Sequence, residues 1–459
     1  MQQLGELCEE GWVVGGAIRD RLLGHLTTDF DVALPGDARP LAKDLARSAG
    51  GHAFALSDTF GAWRVIAKDR SWQVDLTPLT GDTIEQDLAH RDLTINAIAA
   101  PLHSARMIDP HGGGQDLADR VLRMVSPDAF SSDPLRALRL VRFATQLGFT
   151  IDQDTAAAAQ AAAPALVGVA GERMFTELRQ IIAGEHALTG IKLLDQLGIF
   201  AAILPELTAL RGIEQNVYHH LDVYDHTIAT LAATIELERD PAALFGAAPG
   251  AKVSAFLAEP LADDLTRSTA LRFGALFHDI AKSTTRTETD DGRIVFFGHD
   301  VAGGEVSTAI LNRLRCSERL ASHVAALARH HLRLGFLVRE APLSPRSVYR
   351  YLAMCDPVEV DVTLLSVADR LATQGKNGGP ATAAHLELAR ELLPAAFAWH
   401  TERPRPPIRG DRLASAIGIE PGPELGKLLS AVTEAAYAGE VSSEDEAIAY
   451  AQTYLASER

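Results

Sequence analysis

No stretch of the 459 residues approaches the ~20 consecutive apolar residues that a bilayer-spanning helix needs, so no membrane role is expected. The start, MQQLGELCEEGW, lacks a basic head followed by an apolar run and does not read as a secretory signal. Cysteine is scarce. Cys8, Cys316 and Cys355 are scattered without a CxxC spacing, which argues against a disulfide framework and for a reducing, cytoplasmic setting. Positive charge is short as well: 43 Lys and Arg stand against 60 Asp and Glu, a formal net charge of -17. A surface so acidic overall does not attract phosphate backbones, so any nucleic-acid contact must find its cations in one local groove.

What is present has a clear order. Residues 1–125 mix Gly-rich turns with short runs that read as strands: WVVGG, DFDVAL, WRVIA and WQVDLTPL. Residues 126–205 carry helical periodicity throughout, in DPLRALRLVRFATQL, the Ala-rich run after Asp154 and GERMFTELRQIIAG. Residues 206–375 are also helical and hold most of the histidines. The Gly-rich TQGKNGGPAT then reads as a break, and the Pro-rich HTERPRPPIRG as extended chain. Residues 376–459 close with two or three short helices. The expected architecture is α+β, a small mixed-sheet head followed by an all-helical body.

Three constellations carry chemistry. In VVGGAIRDRLLG a strand, a double-glycine turn and a helix follow one another. Gly15 and Gly16 let backbone approach a ligand closely, the helix start offers N–H groups to a phosphate, and Arg19 can clamp a triphosphate. DFDVAL places Asp29 and Asp31 on one face of a strand with Phe30 turned to the core. Two such carboxylates can bridge divalent ions that activate a hydroxyl and stabilise departing pyrophosphate. Asp75, in a later strand, is a candidate third carboxylate.

The second constellation is SSDPLRALRLVRFATQLGF. Asp133 reads as the N-cap, Pro134 as the first helical residue and Gly148 as the stop. Arg136, Arg139 and Arg142 recur every three residues and form a drifting stripe. The third is a histidine series: YHHLDVYDHT, LFHDIAKS, FFGHDVAGG, ARHHL and LLSVADRLA. His278 and Asp279 stand side by side in an apolar helix, which is costly unless something pairs with them, and a metal ion would satisfy both. His299 and His330 are candidates for a second ion, and Lys282 for a phosphate. Imidazole and carboxylate together suit a transition metal, with Mg2+ the alternative.

VVGGAIRDRLLGHLTTDFDVAL resembles the first motif of the class II tRNA nucleotidyltransferase and bacterial poly(A) polymerase family. HRDLTINAIA (His90 to Ala99), IDPHGGGQDL (Ile108 to Leu117), SDPLRALRLVRF (Ser132 to Phe143) and GERMFTEL (Gly171 to Leu178) resemble the second to fifth motifs, in family order. The resemblance implies a polymerase-beta-like head with Mg2+ on Asp29 and Asp31, and attack of a tRNA 3′-hydroxyl on CTP or ATP with release of pyrophosphate. It implies that Arg91 contacts the nucleotide and that Asp92 and Asn96 shape the site. Asp133 and Arg136 would read the base edge, with Arg139 and Arg142 in support. A carboxylate accepts from the amino group of cytosine or adenine and a guanidinium donates to ring acceptors, so no nucleic-acid template is needed. Arg173 and Arg179 would supply local cations to the tRNA acceptor end.

The sequence departs from the family at Ser132, where an acid is common, at His90, often Arg, and at Leu93, often Phe. Between Asp75 and Arg91 lies only LTPLTGDTIEQDLAH, shorter than in many relatives, a feature of those that add only the two cytidines. The series His226, His278, Asp279 and Asp369 is similar to the H…HD…D pattern of the HD phosphohydrolase superfamily. Two alternatives stay open: a poly(A) polymerase of the same family, and an HD phosphohydrolase with an RNA-binding head.

Overall fold

The computed structural model describes residues 2–57, 61–104, 106–215, 220–373 and 378–457 and divides into two compact units, Met1–Ile203 and Leu204–Arg459. The first unit is built on a six-stranded mixed sheet. Its strands are β1 (Trp12–Val14), β2 (Asp29–Leu34), β3 (His52–Ser57), β4 (Ala62–Ile66), β5 (Gln73–Pro78) and β6 (Ala99–Pro101). They lie in the order β3-β4-β5-β2-β1-β6. β2 is central, parallel to β5 and antiparallel to β1. Its second half, Val32, Ala33 and Leu34, is buried, whereas Asp29 and Asp31 are exposed. Val32 and Leu34 join Val65, Val74 and Leu76 in one apolar cluster, with Phe30 packed against it. The sheet core thus anchors one end of β2 and projects the other end outward.

Helices complete this unit. The Leu135–Leu147 helix buries Leu135, Leu138, Val141 and Phe143. Pro134 takes the N-cap position, one residue later than expected; Asp133 is extended, yet its Oδ1 still accepts from the Leu135 N–H. Gly148 closes the helix in the left-handed region at φ 66, a conformation glycine adopts without Cβ strain. The Gly171–Ala183 helix follows and buries Phe175, Glu177 and Leu178.

The second unit is helical with small two-stranded ribbons. Its principal helices are Val223–Arg239, Arg267–Phe277, His299–Arg313, Glu318–His330 and Glu359–Ala372. Part of the expected Gly-rich break lies outside the described residues, and from Gly378 the chain is already helical as far as Thr401. Two glycines and a proline at the start of a 24-residue helix do not interrupt it, because the first turn needs no intrahelical N–H partner. The final helices, Gly410–Ile417, Pro423–Tyr437 and Glu444–Ser457, share a core around Leu413, Leu428, Val432 and Ala447. No described helix is long and apolar enough to cross a membrane.

Candidate active sites

The first site forms where β1 turns into the Gly16–Leu22 helix. Gly15 sits at φ 69, and a Cβ there would meet Arg91 Nη1 at 2.9 Å and Asp31 Oδ2 at 3.7 Å. Glycine is required because the backbone, an arginine and a carboxylate crowd one point. The Gly15 N–H donates to the Ile98 carbonyl, which ties this turn to the second motif. Arg91 is steadied from behind by Asp87 at 3.0 Å. Arg19 donates through Nη1 to Asn96 Oδ1 at 2.9 Å and lies 5.0 Å over the Phe143 ring. Glycine turn, aspartate strand and arginine helix therefore converge within one unit.

Asp29 and Asp31 share a face of β2, as the strand period dictates. The Asp31 residue is open at the strand's outer end, but neighbouring protein crowds its carboxyl. That loss of water pushes its pKa up, Asp75 and Asp29 add to the rise, and Arg91 opposes it. A cluster of like charges with too little compensation suits a hard divalent cation with oxygen ligands. Asp75 stands beside Asp31 in the parallel β2/β5 register, but both its oxygens accept from Arg64, at 2.6 and 2.7 Å.

The three arginines of the Leu135–Leu147 helix each have a different anchor. Arg136 donates to the carbonyls of His90 at 2.6 Å and Ala129 at 3.0 Å. Arg139 donates to buried Asp92 at 2.8 Å. Arg142 donates to buried Glu177 at 2.5 Å and lies 4.2 Å over Phe143, a ring that Arg139 also faces at 5.4 Å. Burial pushes the pKa of Asp92 up, but Arg139 and hydrogen bonds from Asn96 and the Leu93 N–H outweigh it and hold the carboxyl at about 2. Asp133 Oδ2 accepts from Arg173 at 2.8 Å. Arg173, read from sequence only as a tRNA cation, is thus the side-chain partner of Asp133. Glu177 was missed. Its signal was an acid inside the apolar repeat of GERMFTEL, one helical turn after Arg173.

The second site lies in the second unit. His226, His278 and Asp369 form one group and Asp279, His299 and His331 another, the ligand atoms of each lying within 4.8 Å of one another. Asp279 reaches toward both: Oδ2 is 3.2 Å from His278 Nε2, and Oδ1 is 3.3 Å from His299 Nε2 and 3.6 Å from His331 Nε2. The second group uses His331, not His330. One residue of helical phase turns His331 inward, where it is 1% exposed. Nδ1 of His278, His299 and His331 each faces a carbonyl three residues back, at 2.8, 2.6 and 2.7 Å. An N–H there leaves Nε2 as the lone-pair nitrogen, the tautomer a metal requires. The buried Nε2 atoms of His278 and His299 make no hydrogen bond, so a metal ion fits this donor set. Burial pushes the Asp279 pKa up, but Lys282, at 2.7 Å, and His278 hold it well below the carboxylate range. A cleft of about 810 Å³, lined by Asp279, Lys282, His299, His331, Asp369 and Arg370, opens onto the site.

Comparison with known proteins gives three consecutive matches. A poly(A) polymerase head domain covers residues 11–123, a probable RNA and SrmB-binding site of polymerase A covers 148–210, and an HD domain covers 223–374. The chain is 36% identical over 448 residues to an A-adding tRNA nucleotidyltransferase of Deinococcus radiodurans, covering 96% of this chain and 95% of that one. It is 31% identical over 452 residues to a CC-adding tRNA nucleotidyltransferase of Thermus thermophilus, covering 96% and 93%. Among solved structures, an apo CCA-adding enzyme superposes with a TM-score of 0.65 at 20% identity, covering 98% of this chain and 92% of that one. A Thermotoga maritima CCA-adding enzyme complexed with tRNA gives 0.60 at 20% identity, covering 99% and 94%. These last two likenesses show a shared fold.

Proposed function

Since the chain belongs to the tRNA nucleotidyltransferase and poly(A) polymerase family and is a nucleotidyltransferase with an HD domain, we propose that it builds the CCA end of tRNA, wholly or in part, from CTP and ATP. Residues 1–125 would carry catalysis and 126–205 nucleotide reading and RNA contact, with Arg173 and Arg179 facing the acceptor end. Residues 206–375 would be the HD domain and 376–459 a helical tail. Heads and HD domains of these kinds are metal-dependent, and in this head Asp29 and Asp31 would hold Mg2+. Bound there, the ion would supply charge neutralisation at the triphosphate and acidity to a 3′-hydroxyl. Gly15 and Gly16 open a backbone cradle for the phosphates, with Arg19 and Arg91 beside it. Asp133 and Arg136 read the base edge. Arg139 and Arg142 act as positioning residues through Asp92 and Glu177.

The observation that supports this reading best is the crowding of Gly15, Arg91 and Asp31 at one point, with Arg19 reaching the Phe143 ring of the arginine helix. The test is incorporation of labelled CTP and ATP into tRNAs ending at the discriminator base, at C and at CC. Cytidine is expected on the first two substrates, and the short Asp75–Arg91 connection favours arrest at CC. Adenylate on the CC-ending tRNA alone would favour an A-adding enzyme, a second reading that rests on the 36% relative. Long adenylate tails on generic RNA would identify a poly(A) polymerase.

For the second site we propose a metal-dependent phosphohydrolase that holds its ion on His226, His278, Asp279 and Asp369. His299 and His331 offer a place for a second ion, and three or more imidazoles favour a transition metal. Replacing His278 with alanine is expected to abolish hydrolysis of a 2′,3′-cyclic nucleotide and to lower bound metal in elemental analysis. Unchanged metal content and turnover would remove this assignment.

A further inference from the structure

Resting on the reading of Asp29 and Asp31 as the metal-holding pair, we infer that Arg64 is a positioning residue for that site: it engages the third carboxylate, Asp75, and so sets how tightly the head grips its divalent ion.

Strand register brings the side chains concerned together. In the antiparallel β4/β5 pair Arg64 stands opposite Asp75, and in the parallel β2/β5 pair Asp75 stands opposite Asp31. Residues opposite one another point to the same face of a sheet, so Arg64, Asp75 and Asp31 form one row across three strands. Asp29 lies two residues before Asp31 on that same face. Without Arg64, that face would gather three negative charges.

Arg64 changes this. Its Nε donates to Asp75 Oδ1 at 2.6 Å and its Nη2 to Oδ2 at 2.7 Å, a bidentate fork that engages both oxygens. The two side chains are only 29% and 15% exposed, so water screens the pair incompletely. The fork holds the Asp75 carboxylate in one orientation and offsets part of its charge. Asp29 and Asp31 are left as the carboxylates of that face without such a clamp. Lysine could not replace Arg64, because an ammonium has no planar fork.

The same geometry predicts opposite effects from its two ends. Arg64→Gln releases Asp75 and adds negative charge beside Asp31. The Mg2+ concentration for half-maximal nucleotide incorporation is then expected to fall by at least about fivefold, the scale of one unit charge a few ångströms from a divalent ion near the surface. Asp75→Asn strands the Arg64 cation next to Asp31, and the Mg2+ requirement is expected to rise by about the same factor. The double variant is expected to return to within about twofold of the parent, since the charge change cancels.

A second readout needs no turnover. Mn2+ bound in the presence of CTP is counted by electron paramagnetic resonance, with the Asp29→Asn/Asp31→Asn chain subtracting ions held elsewhere. Tighter Mn2+ in Arg64→Gln and weaker Mn2+ in Asp75→Asn support the inference. Shifts in the same direction, or none, overturn it and leave the Arg64–Asp75 pair as a structural tie. If the doubly substituted aspartate chain binds as much Mn2+ as the parent, the head's metal assignment falls and this inference falls with it.

Discussion

Replacing Asp31 with asparagine is expected to cut nucleotide incorporation by at least about 10²- to 10³-fold, the scale on which one preorganised electrostatic contact to a transition state is lost. Asparagine keeps the shape of aspartate and removes its charge. Asp31 stands on the exposed half of β2, while the burial that holds the strand comes from Val32, Ala33 and Leu34. The thermal midpoint should therefore stay close to that of the parent, as for most exposed substitutions. The parent side chain is pressed by its own surroundings, first by crowding and then by Asp75 and Asp29, so neutralising it relieves rather than strains the fold. Activity and stability must come apart. An Asp31→Asn chain that melts like the parent and incorporates CTP or ATP at full rate would refute the head chemistry. One that loses both would show Asp31 to be structural.

The second large effect is expected at Asp92, and here stability and activity fall together. Asp92 is 6% exposed and receives Arg139, Asn96 and the Leu93 N–H. Replacing it with alanine leaves Arg139, whose side chain is 34% exposed and 3.7 Å from Glu177, without its nearer carboxylate, and leaves the Asn96 amide and the Leu93 N–H without their acceptor, a loss expected to cost about 1–3 kcal/mol. Urea unfolding would measure it. The pH dependence carries a definite sign. The folded carboxyl is held at about 2, below its ordinary 3.8, so the unfolded chain binds the proton more readily. The stabilisation is complete above the unfolded value and disappears as pH falls from about 4 toward 2. By linkage it amounts to about 2 kcal/mol. An Asp92→Asn chain should lack this component, so its stability should fall less than the parent's over that interval. Equal losses in the two chains would show that another group carries the acid sensitivity. Incorporation should also drop, because Arg139 loses the partner that fixes its direction.

Much of the head was legible because its signals are local. β1, β2, β4 and β5 contain valine, isoleucine, phenylalanine or tryptophan in short runs, and each appears where those runs stand. β3 and β6 were missed: four of the six residues of HAFALS are small or polar, and AAP has almost no strand character of its own. Both are strands by virtue of their neighbours, β4 and β1, which tertiary pairing supplies and the local pattern does not. The arginine helix announced itself through Asp133, Pro134 and Gly148. Its anchors did not. Asp92 is 47 residues from Arg139 and Glu177 is 35 from Arg142, and such separations leave no periodic trace. The second metal group shows the same limit at close range. Of two adjacent histidines, only helical phase decides which turns inward, and the phase is set by the packing of the Glu318–His330 helix, which ends just before His331.

The Phe143 ring has a consequence for how the first site keeps its dimensions. It is 4% exposed, and its face receives Arg19 from the helix after the glycine turn as well as Arg139 and Arg142 from its own helix. Two distant parts of the chain are therefore gauged against a single flat object. Truncating that object would take away the surface the three cations share while leaving each its own anchor on Asn96, Asp92 or Glu177, so their mutual spacing would then rest on those anchors alone.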